Sequence, residues 1–181
     1  NGPKCGASAP DHLHFQAGNK GLMPVETEYS SWKNSRTSIL MNQENHKLFL
    51  LHDFLRGGWL LEGTNITILE QIFSRLFKKM ETVLGNSDEE PMLNLLCWYE
   101  KGKWITLVFP RKVHRPSCYF RPDEKKYLIS PASVEMGGLV VAARPEDFER
   151  IEAKDIIQIF SEVSLPEFKI LQISEQVMKF P

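Results

Sequence analysis

The stretch Asn1-Gly-Pro-Lys-Cys-Gly-Ala-Ser-Ala-Pro-Asp-His-Leu-His-Phe-Gln16 decides how the rest of this 181-residue chain is interpreted. Its last five residues alternate polar and apolar side chains, and successive side chains of a strand point to opposite faces. We therefore predict a strand in which His12, His14 and Gln16 share one face and two apolar side chains share the other. Two imidazoles and an amide on one side are typical of a half-buried strand that carries a polar site.

The residues before this strand favour phosphate chemistry. Gly6, Ala7 and Ser8 are small, so they do not block the approach of an anion to backbone N–H groups. Neutral imidazole is a nucleophile near pH 7 and can accept a phosphoryl or nucleotidyl group covalently. We take His14 as the candidate nucleophile, with His12 orienting it or holding the phosphate.

Gln16 restricts the type of reaction that the predicted strand could catalyse. A glutamine amide donates a hydrogen bond to a phosphoryl oxygen, but it does not titrate and supplies no proton to a leaving group. This residue therefore favours transfer to an acceptor over simple hydrolysis.

The motif carries a family resemblance. His12-Leu-His-Phe-Gln16 after the small-residue loop resembles the His-x-His-x-Gln signature of the transferase branch of the histidine triad superfamily. That branch includes galactose-1-phosphate uridylyltransferase, diadenosine tetraphosphate phosphorylase and the GDP-hexose phosphorylases. The resemblance implies that His14 is the nucleotidylated nucleophile and that Gln16 replaces the third histidine of the hydrolase branch.

The resemblance extends beyond the motif. Residues 130–149 look like the downstream segment of the GDP-hexose phosphorylase-like proteins, and the whole chain resembles an uncharacterised protein family of gut Bacteroidetes. In these families the motif follows a half that supplies much of the nucleotide pocket. Because this sequence starts on the motif, we expect a carboxy-terminal fragment that lacks part of the pocket.

Composition sets the class of protein. The chain is 42% hydrophobic and 25% charged, which suits one domain with a substantial core. We expect a single domain over residues 1–181, in which 1–91 hold the motif strand, an excursion and a long helix, and 92–181 form a second half.

Charge and hydropathy argue against nucleic-acid and membrane partners, and the cysteine content argues against a disulfide framework. A net charge of −1 gives no general attraction to nucleic acid or to acidic membranes. No apolar run approaches the roughly 20 residues that span a bilayer. The odd number of cysteines, three, favours reduced thiols over a disulfide framework. We expect a cytoplasmic protein without nucleic-acid or membrane partners.

Hydrophobic periodicity predicts an α+β fold with a mainly antiparallel sheet and packed helices, and the resemblance implies that it is histidine-triad-like. The predicted strands lie at residues 47–54, 59–63, 92–99, 103–109, 127–129 and 139–143. The predicted helices lie at residues 24–29, 64–85, 145–148, 155–163 and 166–178. Residues 17–47 read mainly as a polar excursion beside the motif.

Local patterns add finer expectations. Thr67 and Glu70 have the spacing of a capping box at the start of the long helix, and Gly85 is placed to end it. Trp98 and Trp104 are candidates for a pair across the hairpin of residues 92–109.

Two other readings of the motif stay open. His12 and His14 could hold a metal together with Cys5, because imidazole and thiolate are common metal ligands. They could also be structural histidines. We favour a site without metal, because only three candidate ligands cluster and neither reading explains Gln16.

The basic turn at residues 110–116 is ambiguous. Arg111, Lys112, His114 and Arg115 could bind a substrate phosphate, but a solvated strand end is the favoured interpretation.

The function that the sequence favours is nucleotidyl transfer through a covalent histidine. The expected partners are a nucleotide-sugar or dinucleotide and a phosphate or sugar phosphate, with no cofactor. The alternatives are a non-catalytic nucleotide-binding or interaction module and a nucleotide hydrolase. The sequence leaves the base, the sugar and the oligomeric state open.

Overall fold

Five antiparallel strands lie at the centre of the part of the chain that the structure describes. The structure is a computed structural model that describes residues 4–5, 16–85 and 90–179. The strands are β1 (Thr37–Gln43), β2 (His46–Leu51), β3 (Gly58–Gly63), β4 (Leu93–Glu100) and β5 (Lys103–Pro110). They form one sheet in the order β1-β2-β3-β5-β4, with every neighbouring pair antiparallel. The predicted α+β fold with a mainly antiparallel sheet is confirmed.

Helices precede, interrupt and follow the sheet. They are α1 (Pro24–Thr27), α2 (Tyr29–Trp32), α3 (Ile66–Leu84), α4 (Ser133–Met136), α5 (Pro145–Arg150), α6 (Ala153–Val163) and α7 (Glu167–Met178), with a 3₁₀ turn at Ser117–Phe120. None of the helices in the described part of the chain combines the length and the hydropathy needed to cross a bilayer.

The two faces of the sheet carry separate cores, because side chains alternate along each strand. On one face, here called the α3 face, Trp59 and Leu61 pack in a core that includes residues of α3 and α7. On the other, called the α6 face, Leu60 and Phe109 pack with residues of α1, α2, α4 and α6. The central strand β3 is therefore buried along its whole length.

The long helix begins differently from the prediction. The Asn65 side chain accepts hydrogen bonds from the N–H groups of Thr67 (2.9 Å) and Ile68 (3.4 Å). Asparagine at this position satisfies backbone donors that the first turn leaves open. Asn65 is thus the cap, and the predicted capping box of Thr67 and Glu70 is wrong. The predicted stop is confirmed, since Gly85 ends the helix with a φ of 75°.

The predicted excursion at residues 17–47 contains a strand that periodicity missed. β1 lies at an edge of the described sheet, and most of its residues are exposed or half-buried. Ile39, for example, is 56% exposed. An edge strand without a buried face lacks the alternation that identifies strands in a sequence.

Two predicted strands, at residues 127–129 and 139–143, are wrong. The Leu128 N–H donates to the Asp147 carboxylate at 2.9 Å, so a side chain takes the place of a neighbouring strand. Residues 139–143 follow α4 as an irregular segment in which Leu139 and Val141 are exposed.

The expected pair of Trp98 and Trp104 is wrong, because side chains alternate along each strand. Trp104 lies opposite Tyr99, with ring centroids 5.0 Å apart, whereas Trp98 lies opposite Ile105 and contacts Tyr29 on the α6 face. Adjacent register positions place Trp98 and Trp104 on opposite faces, so they do not pair.

The last helix, α7, buries one face and exposes the other. Ile170, Ile173 and Val177 are buried, but Phe168 and Leu171 are exposed.

Candidate functional site

Most of the residues predicted to carry the chemistry lie outside the described part of the chain: Gly6, Ala7, Ser8, His12 and His14. Gln16 is described and is exposed. Residues 4–5 and 17–20, which flank the motif in sequence, lie in the described part of the chain.

Cys5 fixes the chain just before the motif. Its buried thiol donates a hydrogen bond to the Leu93 carbonyl at 3.1 Å, and its own carbonyl accepts one from the Asn94 amide at 3.0 Å. The preceding carbonyl, of Met92, accepts from the N–H of Arg111, the residue that directly follows β5. Because successive carbonyls of a strand point to opposite sides, the Leu93 carbonyl points away from β5. Cys5 therefore sits at the outer edge of β4.

A buried arginine, Arg111, contacts Asn94, the residue whose side chain also binds Cys5. The Arg111 guanidinium donates to the Asn94 side-chain oxygen (2.5 Å) and to the carbonyls of Pro131 (2.8 Å), His114 (2.9 Å) and Val163 (3.2 Å). Burial lowers the pKa of Arg111. These bonds join β4, β5, α6 and two loops around one cation. The interpretation of this turn as a solvated strand end is therefore wrong for Arg111.

The rest of the basic turn is only partly solvated. Arg115 stacks on the Tyr119 ring, with its Cζ atom 4.3 Å from the centroid, and donates to the Ser130 hydroxyl. Burial, followed by the charges of Arg115 and Arg111, lowers the pKa of His114. Lys112 is exposed. Positive charge is thus concentrated at the end of the sheet where Cys5 is bound.

The chain after the motif is held at the other end of β4. The Lys20 ammonium lies 3.4 Å from the Glu100 carboxylate. Cys5 contacts Leu93, the first residue of β4, and Glu100 is the last. The described residues on either side of the motif therefore contact opposite ends of the same edge strand.

A buried carboxylate lies at the Lys20 end of the α6 face. Glu62 accepts hydrogen bonds from Tyr29 (2.8 Å), Lys103 (2.8 Å) and Lys33. Burial alone would raise the pKa of Glu62, but the bonds from Lys103, Lys33 and Tyr29 outweigh it and hold the pKa at about 2. Lys103 pairs with Glu100 in the β4–β5 hairpin. Two ammonium groups around one carboxylate leave this cluster, here called the Glu62 cluster, with net positive charge.

Sequence reasoning missed the Glu62 cluster, although one signal was present. Glu62 is the only charged residue of the strand Gly58–Gly63. A carboxylate is rarely buried without a partner, so a lone glutamate in a central strand indicates a paired charge.

The metal interpretation is not tested at the motif, since His12 and His14 lie outside the described residues. Within residues 4–5, 16–85 and 90–179, no group of three or more His, Cys, Asp or Glu side chains could hold a metal ion.

Comparisons with known proteins match two parts of the chain. Residues 31–180 match the family described as GDPGP1-like, C-terminal domain, and this match contains the five described strands. Residues 1–19, which contain the motif, match a domain of unknown function, DUF4922. Searches of curated proteins and of solved structures found no match.

The larger match supports the predicted relationship to GDP-hexose phosphorylase-like proteins. It spans most of the sequence. The chain belongs to the GDPGP1-like, C-terminal domain family.

Proposed function

We propose that this protein is a nucleotidyltransferase of the phosphorylase type that acts on a nucleotide-sugar or dinucleotide through a covalent nucleotidyl-histidine. The observation that supports this most is the combination in one chain of a His-x-His-x-Gln motif with the GDPGP1-like domain. We assign the protein on the same grounds to the transferase branch of the histidine triad superfamily.

The reaction has two displacements. In the first, an imidazole nitrogen of His14 bonds to the α-phosphorus, and the bond to the bridging oxygen breaks. A nucleotide-sugar then releases a sugar 1-phosphate. In the second, an oxygen of inorganic phosphate bonds to the same phosphorus and the phosphorus–nitrogen bond breaks. The products are a nucleoside diphosphate and free His14, so the enzyme is regenerated. One difficult displacement is thereby replaced by two easier ones.

The other motif residues stabilise the phosphoryl oxygens. N–H groups of Gly6, Ala7 and Ser8 and the Gln16 amide are donors for the charge that develops on the non-bridging oxygens. His12 positions the nucleophile. Gln16 neither takes a proton from an attacking water nor supplies one to a leaving group, which favours a phosphate acceptor.

The surroundings of the motif support this assignment. Contacts of Cys5 and Lys20 with the two ends of β4 hold the chain at both sides of the motif. Arg111 near one end of β4 and the Glu62 cluster near the other carry positive charge, which supports a polyphosphate as the substrate. Strands from residues 1–91 and 92–181 share one sheet, which supports a single domain.

The test supplies the full-length protein with GDP-glucose, UDP-glucose or diadenosine tetraphosphate, with and without inorganic phosphate. We expect a nucleoside diphosphate to form only with phosphate, and His14→Asn to abolish its formation. Glu70→Gln, which changes an exposed residue of α3 outside the motif and outside the cavity, is the control and should keep full activity. Equal product release by wild type and His14→Asn would contradict the mechanism.

The same experiment separates the alternatives. Activity that is independent of added phosphate would indicate a hydrolase. Absence of both turnover and nucleotide binding by calorimetry would indicate an interaction module.

A further inference from the structure

Arg56, in the loop between β2 and β3, is surrounded by aromatic rings on the α6 face. Its Cζ atom lies 5.2 Å from the ring centroid of Phe54, 5.8 Å from that of Phe109 and 5.1 Å from that of Phe160. The side chain is half-buried. Aromatic faces attract a guanidinium, but they leave its in-plane N–H donors without acceptor oxygens.

No anion in the described part of the chain pairs with this cation. The Arg56 Nε atom is buried without a hydrogen-bond partner among the described residues. Burial lowers the pKa of Arg56 to about 10, so the group still carries its charge at neutral pH. A half-buried cation with an unused buried donor gains free energy when an anion binds it.

A second arginine lies beside the same ring. The Arg36 Cζ atom is 5.9 Å from the Phe54 centroid, and its side chain is exposed. Within residues 16–85 and 90–179, neither Arg36 nor Arg56 forms an ion pair with a carboxylate. Asp53 is on the same loop, but its exposed carboxylate contacts the adjacent histidine. Both guanidiniums therefore lie within 5.9 Å of the Phe54 centroid, and no carboxylate among the described residues compensates their charge.

The loop that carries Arg56 also borders a cavity of about 310 Å³. Leu55 and Gly57, the residues on either side of Arg56, line it together with Phe54 and Ser164. The buried Ser164 hydroxyl oxygen has no hydrogen-bond partner among the described residues. Phe54, whose ring both arginines contact, is part of the cavity wall, so the cavity offers room for the non-phosphate part of a small ligand on the same loop.

We propose that Arg56 and Arg36 bind a phosphate group, either inorganic phosphate or the phosphate of a small sugar phosphate. A guanidinium presents parallel N–H donors that match two oxygens of a phosphate. A tetrahedral phosphate has enough oxygens to accept from both arginines, whereas a carboxylate has only two. The inference rests on these contacts alone and does not require the covalent role of His14.

The test measures the thermal unfolding of the full-length protein as inorganic phosphate replaces chloride at constant ionic strength. We expect phosphate to raise the Tm of the wild type. Arg56→Met keeps the apolar stem against the rings but removes the charge, and it should weaken the apparent phosphate affinity about tenfold or more. Arg121→Met, which changes an exposed arginine paired with Asp123, is the matched control and should respond like the wild type.

A second measurement needs no substitution in the site. The Arg56 Nε–H resonance of the wild type should shift on titration with inorganic phosphate. Glucose 1-phosphate is the second probe, and saturation at lower concentration than inorganic phosphate would identify a sugar phosphate as the ligand. The proposal is overturned if the wild type gains no more stability from phosphate than from chloride and the Arg56 resonance does not move. It is also overturned if Arg56→Met responds to phosphate like the wild type.

Discussion

Glu62 illustrates how one charged residue can organise a part of the core. It lies in the central strand β3, is 5% exposed, and binds a tyrosine and two lysines from two other segments, α2 with its C-terminal end and β5. The Glu62 cluster is therefore stable only while the Glu62 carboxylate is ionised. Removing that charge leaves two ammonium groups facing each other beside the α6-face core.

The pH dependence of stability follows from the lowered pKa of Glu62. Its pKa is about 2 in the folded protein, against an ordinary value of 4.5. A carboxyl whose pKa is lowered by folding stabilises the protein above its unfolded pKa, and this stabilisation is lost as the pH falls through the folded pKa. We therefore expect part of the free energy of unfolding to disappear between about pH 4.5 and pH 2.

The variant Glu62→Gln tests this directly. We expect it to lower the free energy of unfolding at pH 7 by about 2–3 kcal/mol and to flatten the acid dependence. Urea unfolding across the acid range measures both effects. Glu70→Gln, at an exposed glutamate of α3, should leave the wild-type curve unchanged. The buried Asp147, whose pKa is also lowered to about 2, should leave part of the acid dependence in the variant. An acid dependence as large in Glu62→Gln as in the wild type would assign the loss to other groups.

Arg111 makes a second prediction at the residue scale. Its guanidinium reaches acceptors in several directions at once, which the single ammonium of a lysine cannot do. We expect Arg111→Lys to lower the free energy of unfolding by about 3 kcal/mol, because several buried carbonyls lose their donor. Urea unfolding measures this change. The exposed Arg121→Lys is the control, and an equal small effect of both would contradict the buried role.

At the scale of elements, helix α3 depends on a single capping side chain. Asn65 accepts from two N–H groups of the first turn, while Glu70 is exposed. We expect Asn65→Ala to lower the free energy of unfolding by about 1 kcal/mol. Glu70→Ala should have almost no effect. If chemical denaturation showed that Glu70→Ala lowers the free energy of unfolding more than Asn65→Ala does, the capping box of Thr67 and Glu70 would be the correct assignment.

The edge strand β4 has a role beyond pairing with β5. Its outward Leu93 carbonyl accepts from Cys5, and its last residue pairs with Lys20. An unpaired strand edge offers hydrogen-bonding groups to another segment. In this protein, the described segments that flank the motif use the two ends of that edge.

At the scale of the whole molecule, the elements with strong local signals were predictable. The helix at Ile66–Leu84 has apolar residues at three- and four-residue spacing, and the β4–β5 hairpin has two apolar runs around a short polar turn. β1 was missed because an exposed edge strand carries no such period.

The charged clusters depend on the tertiary fold. Arg111 finds its acceptors on β4, α6 and two loops, so no local pattern distinguishes it from its exposed neighbour Lys112. The motif itself was found from its residue types and spacing. The catalytic roles of His12, His14 and Gln16 stay predictions.

The most direct test of the central claim is the intact mass of the full-length protein after mixing with GDP-glucose, UDP-glucose or diadenosine tetraphosphate in the absence of phosphate. We predict that the wild type gains the mass of one nucleotidyl group, that inorganic phosphate removes it, and that His14→Asn gains none. Turnover without any adduct, or the same adduct on His14→Asn, would contradict a covalent nucleotidyl-histidine at this position.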